Sequence, residues 1–242
     1  MFPHKDNIPT DRFPVVTVVL IALNVFVYFI LQDGAWSLPD GGATGDWPVA
    51  TYAYIPCTIT GEGACPTAPG GPADWVTVFT AMFMHGSLLH LGGNMLFLWI
   101  FGNNVEDSMG PVKFTAFYLL GGIAATALQT LVNLDSDVAN LGASGAVAAV
   151  LGGYLLLFPR ARVITVIFII FFFTIVELPA LVFLVIWFAQ QALFGALDLN
   201  GSGGGVAYFA HIGGFAFGLL TIKLFASESK RRRQIERVGG LT

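Results

Sequence analysis

Ser144 lies in Gly142-Ala-Ser144-Gly145, His211 in Ala210-His211-Ile-Gly213-Gly214, and His90 and Asn94 in His85-Gly-Ser-Leu-Leu-His90-Leu-Gly-Gly-Asn94. A serine hydroxyl is a weak nucleophile unless a base stands beside it, and histidine is the usual base. Ser144 and His211 therefore form a candidate nucleophile–base pair for attack on a carbonyl. Such an attack also needs hydrogen-bond donors aimed at the oxygen that gains charge. His90 and Asn94, spaced i and i+4, project from one face of a helix and are candidate donors. A serine at a helix start adds its own backbone N–H and the positive end of the helix dipole. No Asp or Glu falls in the same layer to orient His211, so the set reads as a dyad and not a triad. His85 is the weakest member of its run and reads equally well as an interfacial residue.

Taken singly, each residue has a plainer reading. A serine among glycines packs helices, a lone histidine bonds across helices or lines a transport path, and an asparagine is interhelical glue. The combination in one layer is what points to chemistry, and that layer depends on the elements that carry the residues.

Those elements are membrane spans. Of 242 residues, 55% are hydrophobic and only 11% charged, with 22 Phe, whereas soluble domains carry about 25% charged residues. Mean hydropathy is +0.75. The 29 Gly and 12 Pro punctuate the apolar runs, which argues against disorder. The fold expected is an all-α polytopic membrane protein. Its six spans run over 14–32, 88–101, 114–132, 142–158, 178–194 and 206–225. Residues 163–176 read as an apolar segment lying at or re-entering the interface. Residues 1–13 are too polar for a signal peptide and read as an N-terminal tail, 33–74 as a long outer loop, and 226–242 as a basic C-terminal tail.

Charge sets the expected orientation. All eleven Lys and Arg fall in segments that share one side: Lys5 and Arg12, Lys113, Arg160 and Arg162, then Lys223, Lys230, Arg231, Arg232, Arg233 and Arg237. Positive residues favour the cytoplasmic side, so both termini are expected there, in a multi-pass protein of the cell inner membrane. The run from Lys230 to Arg233 reads as an anchor on anionic lipid in preference to a nucleic-acid patch. Spans two, four and six then all enter from the outer face. At about 1.5 Å per residue, His211 lies about 9 Å below the outer boundary and Asn94 about 13 Å along span two. Ser144 in the first turn of span four can share that depth. Gly145, Gly213, Gly214 and Gly218 let spans four and six approach closely. Cys57 and Cys65 sit in the outer loop, either as a local disulfide or as two free thiols. Glu177 reads as an inner-boundary residue, and Glu106 as a cap or brace of an inner loop.

The pieces His85-x4-His90-x3-Asn94, Gly142-x-Ser144-Gly145 and His211-x-Gly-Gly214 with Gly218, in this order, resemble the rhomboid family of intramembrane serine proteases. The resemblance covers roughly residues 11–225 and implies a six-helix rhomboid-like bundle. It implies Ser144 as nucleophile, His211 as general base, and His90, Asn94 and the Ser144 N–H as the oxyanion hole. It also implies cleavage of transmembrane-helix protein substrates at the outer side, with no metal or cofactor. The chain departs from the family in lacking a Trp-Arg pair in the first outer loop, where Trp47 and Trp75 precede Pro and Val. It reads as a minimal form without an added soluble domain. The alternatives are a catalytically silent member that binds transmembrane helices, and a small transporter using the same polar residues as a path. Neither a His-Glu-x-x-His motif nor an intramembrane aspartate pair is present for other protease chemistries. Span five, broken at Pro179 and bulky at Trp187 and Phe188, is the expected substrate gate.

Overall fold

The computed structural model describes residues 2–32, 51–65, 71–169, 172–197 and 206–237. Trp47 and much of the expected outer loop lie outside these residues, as does the turn with Asp198. The chain opens with strand β1 (Phe2–Asp6), followed by helix α1 (Val15–Phe26), which continues through a π turn to Leu31. Two short helices come next, α2 (Pro56–Thr60) and α3 (Asp74–Thr80). Helix α4 (Leu88–Phe97) runs through a π-helical stretch, Leu98–Gly102, into α5 (Asn103–Met109). Helices α6 (Pro111–Val132) and α7 (Ser144–Leu157) lead to strands β2 (Arg162–Ile169) and β3 (Phe172–Pro179). The last elements are α8 (Ala180–Leu197), α9 (Tyr208–Phe225) and α10 (Glu228–Arg237).

The protein is a mostly helical membrane protein. Helices α6, α8 and α9 are long and apolar enough to cross a bilayer, while Val15–Leu31 and Ser144–Leu157 are shorter apolar helices. Helix α7 is the axis of the bundle. From Gly145 to Tyr154 every residue is buried, as expected for a helix apolar on all sides.

The expectation of an all-α chain is corrected by a three-stranded antiparallel sheet in the order β1-β2-β3. Within 163–176, read as an interfacial segment, the described residues belong to two antiparallel strands in which Val163 is paired with Leu178 and Phe168 with Phe173. The reason is local. The run is dominated by Val, Ile, Thr and Phe, which favour strands, and it ends at Pro179. β1 pairs on the other side of β2, with Asp6 opposite Val163. Glu177 makes an exposed ion pair with Arg162 at 3.2 Å.

Both terminal segments are built into one end of the bundle. Asp6 Oδ2 accepts from Asn104 Nδ2 at 2.6 Å and from the Tyr154 hydroxyl at 2.5 Å. At the other terminus, Arg231 Nε donates to the Leu157 carbonyl at 2.9 Å, Arg233 pairs with Asp11 at 3.6 Å, and Gln234 is fully buried. The basic segment expected to lie on lipid thus also braces the carbonyl end of α7. Glu106 caps a helix at this same end: its carboxylate accepts from the backbone N–H of Val16 and Thr17 and from the Thr17 hydroxyl, at 3.0, 2.8 and 2.8 Å. These are the free donors that every helix start carries.

Burial raises the Asp6 carboxyl to about 7, against the Tyr154 hydrogen bond that pulls it down. A raised carboxylate favours the protonated fold. Its contribution to stability is therefore complete at low pH and is lost as pH rises from about 4 to about 7. The thermal midpoint of the wild type is expected to fall over that window, and Asp6→Asn, which mimics the neutral acid, to flatten the fall by on the order of 4 kcal/mol. Asp107, also raised by burial, leaves a smaller slope of the same sign. An unchanged slope in Asp6→Asn would remove Asp6 as its source.

Candidate active site

Ser144 is the first residue of α7, at the end of the helix away from the terminal cluster. Tyr154 of that cluster lies about 15 Å further along, at 1.5 Å per residue. The turn into the helix is made by Gly142 at φ 130°, in the left-handed region that glycine tolerates and other residues avoid. Its backbone is pinned by Gly142 N donating to the Ala81 carbonyl at 2.8 Å. The preceding strand-like segment pairs Asn140 with Tyr54 in both directions, at 2.7 and 3.0 Å. Nearby, Cys57 and Cys65 form a disulfide, and Cys57 N donates to the Ser136 carbonyl at 3.1 Å. The loop that presents Ser144 is therefore held from both sides.

The imidazole of His90 fills the space that a side chain on Gly142 would take. A Cβ there would lie 2.7 Å from His90 Cε1, 2.9 Å from Nε2 and 3.6 Å from Ser144 Oγ. The ring and the hydroxyl thus flank one point. His90 is aimed by its helix start: Ser87, in an extended conformation, caps α4 by accepting from His90 N at 3.1 Å. One turn on, Asn94 is buried, and among the described residues its Nδ2 has no hydrogen-bond partner. An amide donor left unsatisfied inside the protein carries a cost, and it is free for an oxygen brought to the site.

His211 sits in the first turn of α9. Its placement follows from how α9 packs on α7. A Cβ on Gly214 would run into the Gly145 carbonyl, and one on Gly218 into the Ala149 carbonyl. The backbones meet directly beside Ser144 and His211. Of the four glycines read as serving spans four and six, Gly213 turns to a different helix and Gly145 serves two. Gly214 and Gly218 face α7, whereas Gly145 meets Ala125 and Gly213 meets Leu128, both on α6. Small residues thus clamp a three-helix junction under the site.

Two residues gain roles that the sequence reading did not give them. His85 is fully buried. Its backbone is clamped by Gln32, which accepts from His85 N at 2.9 Å and donates to His85 O at 3.2 Å. Its ring stands edge-on to His90, with centroids 5.1 Å apart, and its Nε2 accepts from Ala143 N at 3.5 Å. His85 thus supports both His90 and the turn into Ser144. The second residue is Gln191 on α8, buried, whose Oε1 lies 2.7 Å from His211 Nδ1. The hydrogen bond at His211 goes to this glutamine and not to Ser144. Trp187, one turn earlier on α8, places its ring 5.9 Å from the imidazole.

Ser144, His90 and His211 are each only partly buried. A family model described as the Rhomboid domain matches residues 72–228, a stretch that includes Ser144, His211, His90, Asn94, His85, Gln191 and Trp187. The chain belongs to the rhomboid family. Among relatives, it is 29% identical over 175 residues to Rhomboid protein 1, mitochondrial, of Saccharomyces cerevisiae, covering 68% of this chain and 46% of that protein. It is 34% identical over 150 residues to RHOMBOID-like protein 4 of Arabidopsis thaliana, covering 62% and 34%. It is 27% identical over 142 residues to the Rhomboid protease GluP of Bacillus subtilis, covering 59% and 24%. This rhomboid spans less than half the length of each of these relatives.

Proposed function

We propose that this rhomboid is an intramembrane serine endopeptidase of the cell membrane, with six spans, both termini cytoplasmic and its active site open to the outer side. The observation that carries the reading is the convergence of Ser144, His90 and His211, from the first turns of three different helices, on one end of the bundle. Ser144 Oγ attacks the carbonyl of a peptide bond in or near a transmembrane helix of a membrane-protein substrate. His211 takes the hydroxyl proton and passes it to the leaving amine, after which water, activated by the same base, releases the acyl group. His90, Asn94 and the Ser144 N–H donate to the oxyanion, with the helix start adding its dipole. The chemistry closes without a metal or cofactor.

The reading is tested with the protein reconstituted in lipid vesicles beside a single-span reporter whose helix carries small residues near its outer boundary. Wild type is expected to cut the reporter and Ser144→Ala to leave it intact. Cleavage that persists in Ser144→Ala overturns the assignment. Binding of the reporter without cleavage by folded wild type moves the protein to the catalytically silent, helix-binding alternative.

A further inference from the structure

We propose that Gln191 is a positioning residue for His211: its side-chain oxygen accepts the Nδ1 proton, so that the lone pair of Nε2 is the one available to Ser144. The inference rests on the reading of His211 as the base, but it concerns a residue on a different helix and has its own observable.

A neutral imidazole carries one proton on either of its two nitrogens, and the partner of one nitrogen decides the state of the other. In serine hydrolases with a triad, a buried carboxylate does this by accepting from Nδ1. Around His211 that position is occupied by a neutral amide oxygen at 2.7 Å. Gln191 is buried, while its neighbour Gln190 is exposed, so the chain turns one of two adjacent amides inward. A polar side chain buried in an apolar helix is costly unless it is hydrogen-bonded, and His211 is the partner that satisfies it. Trp187 comes from the same face of α8 one turn away, so the imidazole is held by a ring contact and a hydrogen bond from a single helix. Phe188 stacks on Phe215 with centroids 4.6 Å apart, which fixes the rotation of α8 against α9 and thereby the direction in which Gln191 points.

The test reads the tautomer directly. The chain has four histidines, so protein carrying ¹⁵N-labelled histidine in lipid bilayers gives a countable set of ring signals. A His211→Gln variant identifies the pair that belongs to His211. The wild type is expected to show a neutral ring protonated at Nδ1, and Gln191→Leu, of similar size but without an acceptor, to shift it toward protonation at Nε2. Gln191→Glu restores an acceptor of the same reach and is expected to keep Nδ1 protonated. In parallel, the rate of covalent labelling of Ser144 by a fluorophosphonate is expected to fall about a hundredfold in Gln191→Leu, the scale of a general-base contribution. Gln191→Glu is expected to retain most of it. A wild-type ring protonated at Nε2, or one whose tautomer is the same in Gln191→Leu, overturns the proposal. A tautomer that does respond to Gln191→Leu in a wild-type protein that never reacts with the probe supports the Gln191 assignment while sinking the dyad itself, so the two failures are separable.

Discussion

Wild-type protein, purified in detergent, is expected to react covalently with a fluorophosphonate at Ser144, and Ser144→Ala and His211→Ala are expected to stay unlabelled. The probe carries an electrophilic phosphorus that an ordinary surface serine does not attack at a useful rate. Labelling therefore reports a hydroxyl with a base beside it and donors at the developing oxyanion. Removing either partner of such a pair typically costs as much as removing both, because neither acts without the other. The expected loss is at least about 10⁴-fold for each variant. Neither substitution touches the backbone contacts that hold the helices together, although His211→Ala leaves the buried Gln191 without its partner. Ser144 is only partly buried and its side chain does not cap α7, while the close contacts of α9 are made by Gly213, Gly214 and Gly218. Folding of each variant is checked by its thermal transition. Equal absence of labelling in folded wild type and both variants would leave the dyad unassembled and the helix-binding reading in front. Equal labelling of wild type and Ser144→Ala would place the reaction on another side chain.

The cost of polar groups in apolar runs made Ser144, His211, His90 and Asn94 visible in the sequence. Gln191 obeys the same rule and could have been read the same way. Gln190 beside it obscured the signal, since adjacent residues on a helix point about 100° apart and nothing local says which faces inward. His85 was harder, because Gln32, whose side chain clamps its backbone, lies far earlier in the chain. Helices occupy the apolar runs near the expected positions, since length and hydrophobicity are local properties. The sheet was half legible. Two of its strands were written in the β-branched run 163–176, but the third is a polar-looking N-terminal segment, Phe2–Asp6, that becomes a strand only by pairing with β2. Glycine spacing announced close helix contacts but not their direction. Gly213 and Gly214 are neighbours in sequence and face different helices.

That division makes the last prediction sharp. Gly214→Val is expected to lower the thermal stability by several kcal/mol, more than the roughly 1–3 kcal/mol usual for overpacking, and to abolish fluorophosphonate labelling in whatever protein remains folded. The obstacle is backbone. A Cβ at Gly214 runs into the Gly145 carbonyl, one residue from Ser144, and a carbonyl in the buried stretch of α7 cannot swing aside as the tip of a flexible side chain can. Relief requires α9 to move away from α7, and the residue that moves with it is His211, one turn before Gly214. Ser144 and His211 come from the two helices being pushed apart, so stability and labelling should fall together. Gly92→Ala supplies the comparison. It lies between His90 and Asn94 on α4, is exposed, and a Cβ there meets nothing within 4 Å. In a helix interior that change is stabilising by up to about 1 kcal/mol, and labelling should continue. A Gly214→Val protein with wild-type stability and labelling would mean that α7 and α9 do not make this contact, and the proximity of Ser144 and His211 would lose its support.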